Sequence, residues 1–187
     1  MYSPRFDLAV TTVLDAHGLA TRKRGLTYEA SHVIAVAVIV ADFGFDEDAI
    51  VAALLHDTLE DTSLDPEVIR SRFGELVLAI VRDVTEPSKM RESWLARKQA
   101  YIEQVRLSPR QGAWAVASAD KIHNMAKIIE GLRSGHPGFW DAFSASPEQM
   151  VWYQTAVLEM LEAKWSHPIL ERQRALVGEL ARVVGRR

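Results

Sequence analysis

Apolar residues return every third or fourth position over most of the chain, and strict apolar–polar alternation is scarce, so the pattern predicts helices nearly throughout. A first helix is expected over about 3–18, with Ser3 and Pro4 supplying an N-cap and a first turn. A second is expected over about 28–43, ending at Gly44, and a third over about 47–62, capped by Asp46. Asp65-Pro66-Glu67 marks another helix start that runs to Phe73-Gly74, and a further helix covers about 75–84. The polar stretch Thr85–Met90 reads as a loop, followed by helices over about 92–107 and 109–133. Ser134-Gly135-His136-Pro137-Gly138 breaks the pattern. Ser146-Pro147-Glu148-Gln149 reopens it with a capping-box arrangement to about Trp165, and His167-Pro168 precedes a last helix to about Val184. The fold class implied is all-α: one helical bundle of about eight to ten helices without a linker.

The most apolar run, Val33–Ala41, is far shorter than the roughly 20 residues of a membrane span and reads as a core helix. The first residues lack a basic segment followed by a long apolar one, so no signal peptide is expected. A length of 187 residues with 48% hydrophobic and 25% charged residues suits one soluble domain with a sizeable core. The formal charge of −3 and the pI near 6.1 argue against nucleic acid or an anionic membrane as partner. The absence of cysteine excludes disulfides, thiolate nucleophiles and Cys-based zinc sites, and is consistent with the cytoplasm.

Chemistry concentrates in Ala53-Leu54-Leu55-His56-Asp57-Thr58-Leu59-Glu60-Asp61, where an apolar helix abruptly presents four titratable residues. In a continuous helix His56 and Glu60 share a face, and Asp57 and Asp61 repeat the spacing one position later. Ionisable groups beside a core are costly unless paired or bound to a cation. Taken alone, the segment also reads as a solvated helix end. His32, at the front of the apolar run, reads alone as a hydrogen-bonded core residue. Asp120, within Ala117-Ser118-Ala119-Asp120-Lys121-Ile122-His123-Asn124, reads alone as a capping or salt-bridge residue. Together His32, His56, Asp57 and Asp120 form a mixed nitrogen–oxygen ligand set suited to Mn²⁺, Fe²⁺, Zn²⁺ or Co²⁺. His17, His123, His136 and His167 have no such partners by spacing and read as structural or exposed.

The order His32…His56-Asp57…Asp120 resembles the signature of the HD-domain phosphohydrolases. The closer likeness is to the (p)ppGpp 3′-pyrophosphohydrolases, the small alarmone hydrolases and the hydrolase halves of the RelA/SpoT homologues. It rests on Arg22-Lys23, His56-Asp57-Thr58-Leu59-Glu60-Asp61, Phe73-Gly74, Val84-Thr85-Glu86, Arg97-Lys98 and Ala119-Asp120-Lys121-Ile122-His123-Asn124. The later Trp140, Phe143 and Trp152-Tyr153 are similar to the stand-alone members. The likeness covers about 17–161, which implies a single domain over 1–187 with a C-terminal helical extension and no synthetase segment.

The resemblance implies one Mn²⁺ on His32, His56, Asp57 and Asp120, with Glu60 and Asp61 handling the attacking water. It implies Arg22 at the guanine base, with Lys23, Arg97, Lys98, Lys121, Asn124 and Tyr153 lining the nucleotide and phosphate pocket. The implied reaction is metal-dependent removal of the 3′-diphosphate of ppGpp or pppGpp as pyrophosphate. Lys121 and the Arg22-Lys23-Arg24 cluster also read as a salt-bridge partner and a solvated loop. The chain departs from the family in one place: Tyr28 stands four residues before His32 instead of three. That leaves open a base pocket that accepts adenosine analogues, a 3′-phosphorylated cofactor such as NADPH, or a nucleoside monophosphate. A non-catalytic nucleotide-binding module is the remaining alternative. A small nucleotide is thus the expected partner, as monomer or homodimer.

Overall fold

The computed structural model describes residues 3–22, 27–87, 93–135 and 138–185. Ten α-helices lie among them: α1 (Pro4–His17), α2 (Glu29–Asp42), α3 (Glu47–Leu55), α4 (Thr58–Asp61), α5 (Pro66–Phe73), α6 (Glu75–Val84), α7 (Trp94–Leu107), α8 (Gln111–Arg133), α9 (Pro147–Lys164) and α10 (Pro168–Val184). A 3-10 turn over Phe139–Ala142 occupies the stretch that the sequence pattern leaves unassigned. The described residues form no strand, only an isolated bridge between Thr21 and Tyr28 that closes the hairpin between α1 and α2.

The helix starts follow their caps. Ser3 accepts from the Phe6 amide at 3.0 Å, Asp46 from Ala49 at 2.9 Å and Asp65 from Glu67 at 2.8 Å. Ser146 and Gln149 exchange both bonds of a capping box at 3.2 and 2.8 Å. His167 caps α10 through Nδ1, which accepts from the Ile169 amide at 3.3 Å, and its ring stacks on Trp165. Two starts fall later than the pattern predicts. α7 begins after the Ser93 cap, whose hydroxyl accepts from Ala96, and α8 begins after Arg110.

The predicted continuous helix over 47–62 is corrected. It stops at Leu55 and restarts as the single turn α4. Side chains take the carbonyls that would continue it: the His56 imidazole bonds the Ala53 carbonyl at 2.8 Å, and the Thr58 hydroxyl donates to the Leu55 carbonyl at 2.6 Å. The face shared by His56 and Glu60 therefore does not arise from one helical ladder.

α3 is the centre of the bundle, packed against α1, α2, α6 and α8. Every residue from Ala49 to Leu55 is buried. Its Ile50, Leu54 and Leu55 side chains each contribute about 1.5–3 kcal/mol by burial. The helix can thus hold the two titratable residues that follow it in a fixed place. A second apolar cluster, Met125, Ile128, Ile129, Leu132, Phe139 and Leu180, joins α8 to α10. A buried bond from the Ser118 hydroxyl to Gln173 Oε1 at 2.6 Å reinforces it.

Gly131 lies within that second cluster because Phe139 packs directly on its Cα, and a Cβ there would overlap the ring. Gly131→Ala is therefore expected to destabilise by about 1–3 kcal/mol despite the better helix propensity of alanine. A thermal-unfolding scan checks it, with a lower midpoint as the expected result. No described helix is long and apolar enough to cross a membrane.

Candidate metal centre

His32 sits in the first turn of α2, His56 and Asp57 at the junction of α3 and α4, and Asp120 in the middle of α8. The fold brings these segments to one point. His32 Nε2 lies 3.2 Å from Asp120 Oδ1 and 3.5 Å from Asp57 Oδ2. His56 Nε2 lies 3.1 Å from Asp57 Oδ1 and 3.9 Å from Asp120 Oδ1. One ligand atom each from His32, His56 and Asp57 falls within 4.8 Å of the others. Atoms that share an ion at about 2.0–2.2 Å stand roughly 3–3.5 Å apart, and three of these four pairs, at 3.1–3.5 Å, have that spacing.

The protonation pattern fits a cation. A carbonyl only accepts, so the bond to Ala53 places a proton on His56 Nδ1, and the neutral form of the ring keeps its lone pair on Nε2. That Nε2 is buried, has no hydrogen-bond partner among the described residues and faces the Asp57 carboxylate, another acceptor. With the ring neutral, these two acceptors stand 3.1 Å apart, a spacing that a shared cation would satisfy. Burial lowers His32 to about 3, so its ring is neutral and able to ligate at neutral pH.

Asp57 is pushed up to about 6 by burial and by the neighbouring carboxylates of Asp120, Glu60 and Asp61. Asp120 goes the other way. Burial opposes its charge, but the Lys121 ammonium and the His32 ring hold it well below the usual range. These directions set an expected pH profile. An ion must displace the Asp57 proton below pH 6 and none above it, so Mn²⁺ affinity should fall about tenfold per pH unit below 6. The stability sign is the reverse of the usual carboxylate case. Folding raises this pKa, so ionised Asp57 costs stability above about 6, not at acid pH, and a bound cation relieves that cost. Calorimetric titration with Mn²⁺ at pH 5 and pH 7 checks the profile.

A cationic wall stands next to the centre. Lys121 donates to Asp120 Oδ2 at 2.6 Å, and its ammonium lies 4.7 Å from the Tyr101 ring centroid and 5.1 Å from that of Tyr153. Burial would lower Lys121, but the Asp120 carboxylate outweighs it and keeps the ammonium charged. Lys98 lies 5.0 Å from the same Tyr153 ring. Burial and the Lys121 charge lower its pKa, while Glu86 works against them. Glu86 accepts from both Lys98 and Arg97, the latter at 3.0 Å, and its own amide donates to Glu60 Oε2 at 3.2 Å. Tyr153 is buried, with its ring beside the Lys98 and Lys121 ammonium groups.

Asn124 spans two groups: its amide nitrogen donates to Asp120 Oδ1 at 2.5 Å, and its oxygen accepts from Arg22 at 2.8 Å. Arg22 pairs with Glu29 at 3.1 Å on its other side. The hairpin before α2 is thereby tied to the candidate ligand Asp120. Glu60 lies on α4, half-buried, and Asp61 follows it, exposed. Lys23 lies outside the described residues.

Two residues escaped the sequence reading. His123, read there as structural or exposed, bonds His32 through the two Nδ1 atoms at 2.8 Å. Its spacing of three from Asp120 on one helix was the available signal. Glu86 entered only as part of a likeness, yet it is the buried anion that gathers Arg97 and Lys98. Nothing in its local sequence distinguishes it from a loop acid.

A family model described as HD domain matches residues 9–134, a span that holds all four converging residues. The chain belongs to the HD-domain family. This HD-domain chain is 46% identical over 77 residues to a guanosine-3′,5′-bis(diphosphate) 3′-pyrophosphohydrolase of Aquifex aeolicus, covering 41% of the chain and 11% of that relative. It is 34% identical over 119 residues to the Haemophilus influenzae protein of the same name, covering 61% of the chain and 17% of the relative. The chain thus spans less than a fifth of the length of these curated relatives. A solved structure, described as a metazoan orthologue of SpoT that hydrolyses ppGpp and plays a role in starvation responses, superposes with a TM-score of 0.75 at 26% identity. That match covers 97% of the HD-domain chain and 96% of the other.

Proposed function

We propose that the chain is a divalent-metal-dependent phosphohydrolase that removes the 3′-diphosphate of ppGpp and pppGpp as pyrophosphate, with Mn²⁺ as the ion. The observation that carries the reading is the meeting of His32, His56, Asp57 and Asp120 at one point beside the cationic wall of Lys98 and Lys121. The HD-domain membership and the names of the relatives support the substrate class. We read residues 1–187 as one catalytic domain acting on a small nucleotide in the cytoplasm.

His32, His56, Asp57 and Asp120 would hold the ion, which when bound supplies Lewis acidity at the attacked phosphate. Glu60 and Asp61 orient the attacking water and take up its proton. Lys98 and Lys121 face the negative charge of the diphosphate, and Tyr101 and Tyr153 shield them from bulk water, which strengthens the attraction. Water oxygen joins the phosphorus, the bond from phosphorus to the 3′-oxygen breaks, and that oxygen leaves with a proton. Arg22, fixed between Glu29 and Asn124, sits where the hairpin meets the site and is assigned to the base, with Lys23 beside it in sequence. Asn124 contacts the nucleotide from the same side.

The Arg22–Glu29 pair also favours a second reading, in which the departure before His32 reshapes the base pocket for an adenosine counterpart or another 3′-phosphorylated nucleotide. Incubation of Mn²⁺-loaded protein with ppGpp, pppGpp, their adenosine counterparts, NADPH and nucleoside monophosphates decides between the two. Pyrophosphate from ppGpp is the expected product. Pyrophosphate from the adenosine counterparts, or phosphate from NADPH or a nucleoside monophosphate, with ppGpp left intact, supports the second reading, and no product from any of them sinks both.

A further inference from the structure

His32 and His123 meet through Nδ1 on each ring, 2.8 Å apart, with ring centroids 4.8 Å apart and planes at 51°. A hydrogen bond between two ring nitrogens holds one proton, so one ring donates and the other accepts. A neutral imidazole has one N–H. His32 turns Nε2 toward the Asp57 and Asp120 carboxylates. It can give a lone pair to an ion there only when its proton sits on Nδ1, where His123 Nδ1 is the acceptor in place.

We infer that His123 is a positioning residue: by accepting the His32 Nδ1 proton it fixes the tautomer and the ring plane that present His32 Nε2 to a divalent cation. His56 receives the same service from the Ala53 carbonyl. His32 has a side chain in that role, carried on α8 three residues after Asp120. One turn of α8 thus supplies the ligand Asp120, the acceptor for His32, and, through Asn124, a donor that steadies Asp120. His123 is only half-buried and lies outside the apolar clusters, so core filling does not account for its place.

This inference rests on the metal-centre reading, and its test separates the two. Mn²⁺ affinity is measured by isothermal titration on wild type, His123→Asn and His123→Leu, with thermal unfolding of each protein before metal is added. Asparagine can place an oxygen acceptor near the position of the histidine Nδ1, whereas leucine removes the acceptor at similar volume. His123→Leu should bind Mn²⁺ about 10–100-fold more weakly, with asparagine restoring most of that loss. Wild-type affinity in His123→Leu overturns the inference alone, as does an equal loss in both variants, which would mean that shape and not the acceptor matters. Wild-type protein that binds no divalent ion overturns the metal-centre reading and this inference with it. If the leucine variant fails to fold, ¹⁵N imidazole spectra of the Zn²⁺-loaded wild type decide instead. His32 protonated at Nδ1 and His123 unprotonated at Nδ1 support the inference, and any other pairing overturns it.

Discussion

Asp57→Ala is expected to abolish turnover while leaving the metal-free protein at least as stable as wild type. The two oxygens of Asp57 face both candidate ligand imidazoles, Oδ1 toward His56 and Oδ2 toward His32. Its removal leaves the centre with two nitrogens and one carboxylate. A loss of at least about 10³-fold in kcat/KM, or roughly 4 kcal/mol of transition-state stabilisation, follows. Stability should move in the opposite sense. Burial and the surrounding carboxylates hold Asp57 up at about 6, so its ionised form strains the metal-free fold at neutral pH, and alanine removes that strain. Pyrophosphate release, Mn²⁺ titration and thermal unfolding read the three effects separately. Unchanged turnover would remove the metal from any mechanism for this chain.

The second large effect is predicted at Glu86. Glu86→Gln keeps the shape but removes the charge that Arg97 and Lys98 share. Their side chains keep 15% and 19% exposure, so solvent screens part of the loss. A fully buried broken pair costs about 3–5 kcal/mol, and about 2–4 kcal/mol is expected here. At roughly 2–4 °C per kcal/mol for a chain of this size, the unfolding midpoint should drop by about 4–16 °C. Lys98 loses the carboxylate that opposes its burial, so its pKa should fall further from the ordinary lysine value. Denaturant unfolding at neutral pH tests the first effect. A midpoint within error of wild type would show that Glu86 does not hold the two cations together.

Much of the architecture is legible because caps are local. Ser3, Asp46, Asp65 and Ser146 each announce a helix with a side chain that satisfies an amide two or three residues away, and each forms that bond. The break inside the expected third helix is not legible. The apolar spacing of Leu55 and Leu59 runs on through it. The interruption arises because His56 and Thr58 bond the carbonyls of the preceding turn, a competition that helix propensity ignores. The convergence of His32, His56, Asp57 and Asp120 was legible as a set of residue types, and its geometry required three packed helices. Lys121 and Asn124 show the limit. Sequence likeness places them at a nucleotide, while the fold also ties each to Asp120. His123 went unrecognised because a histidine one helical turn past an aspartate is common, and only packing against α2 brings His32 to it.

The complete burial of α3 also orders the ways in which this bundle can come apart. Amides from Val51 to Leu55 sit in a helix whose every residue from Ala49 onward is buried and enclosed by four others, so no local fluctuation exposes them. Their hydrogen exchange should occur only through global unfolding and report the full stability of the domain. The single turn that follows has no such enclosure and should exchange through small openings. Such a molecule can loosen around a ligand repeatedly without moving the point on which His56 and Asp57 are anchored.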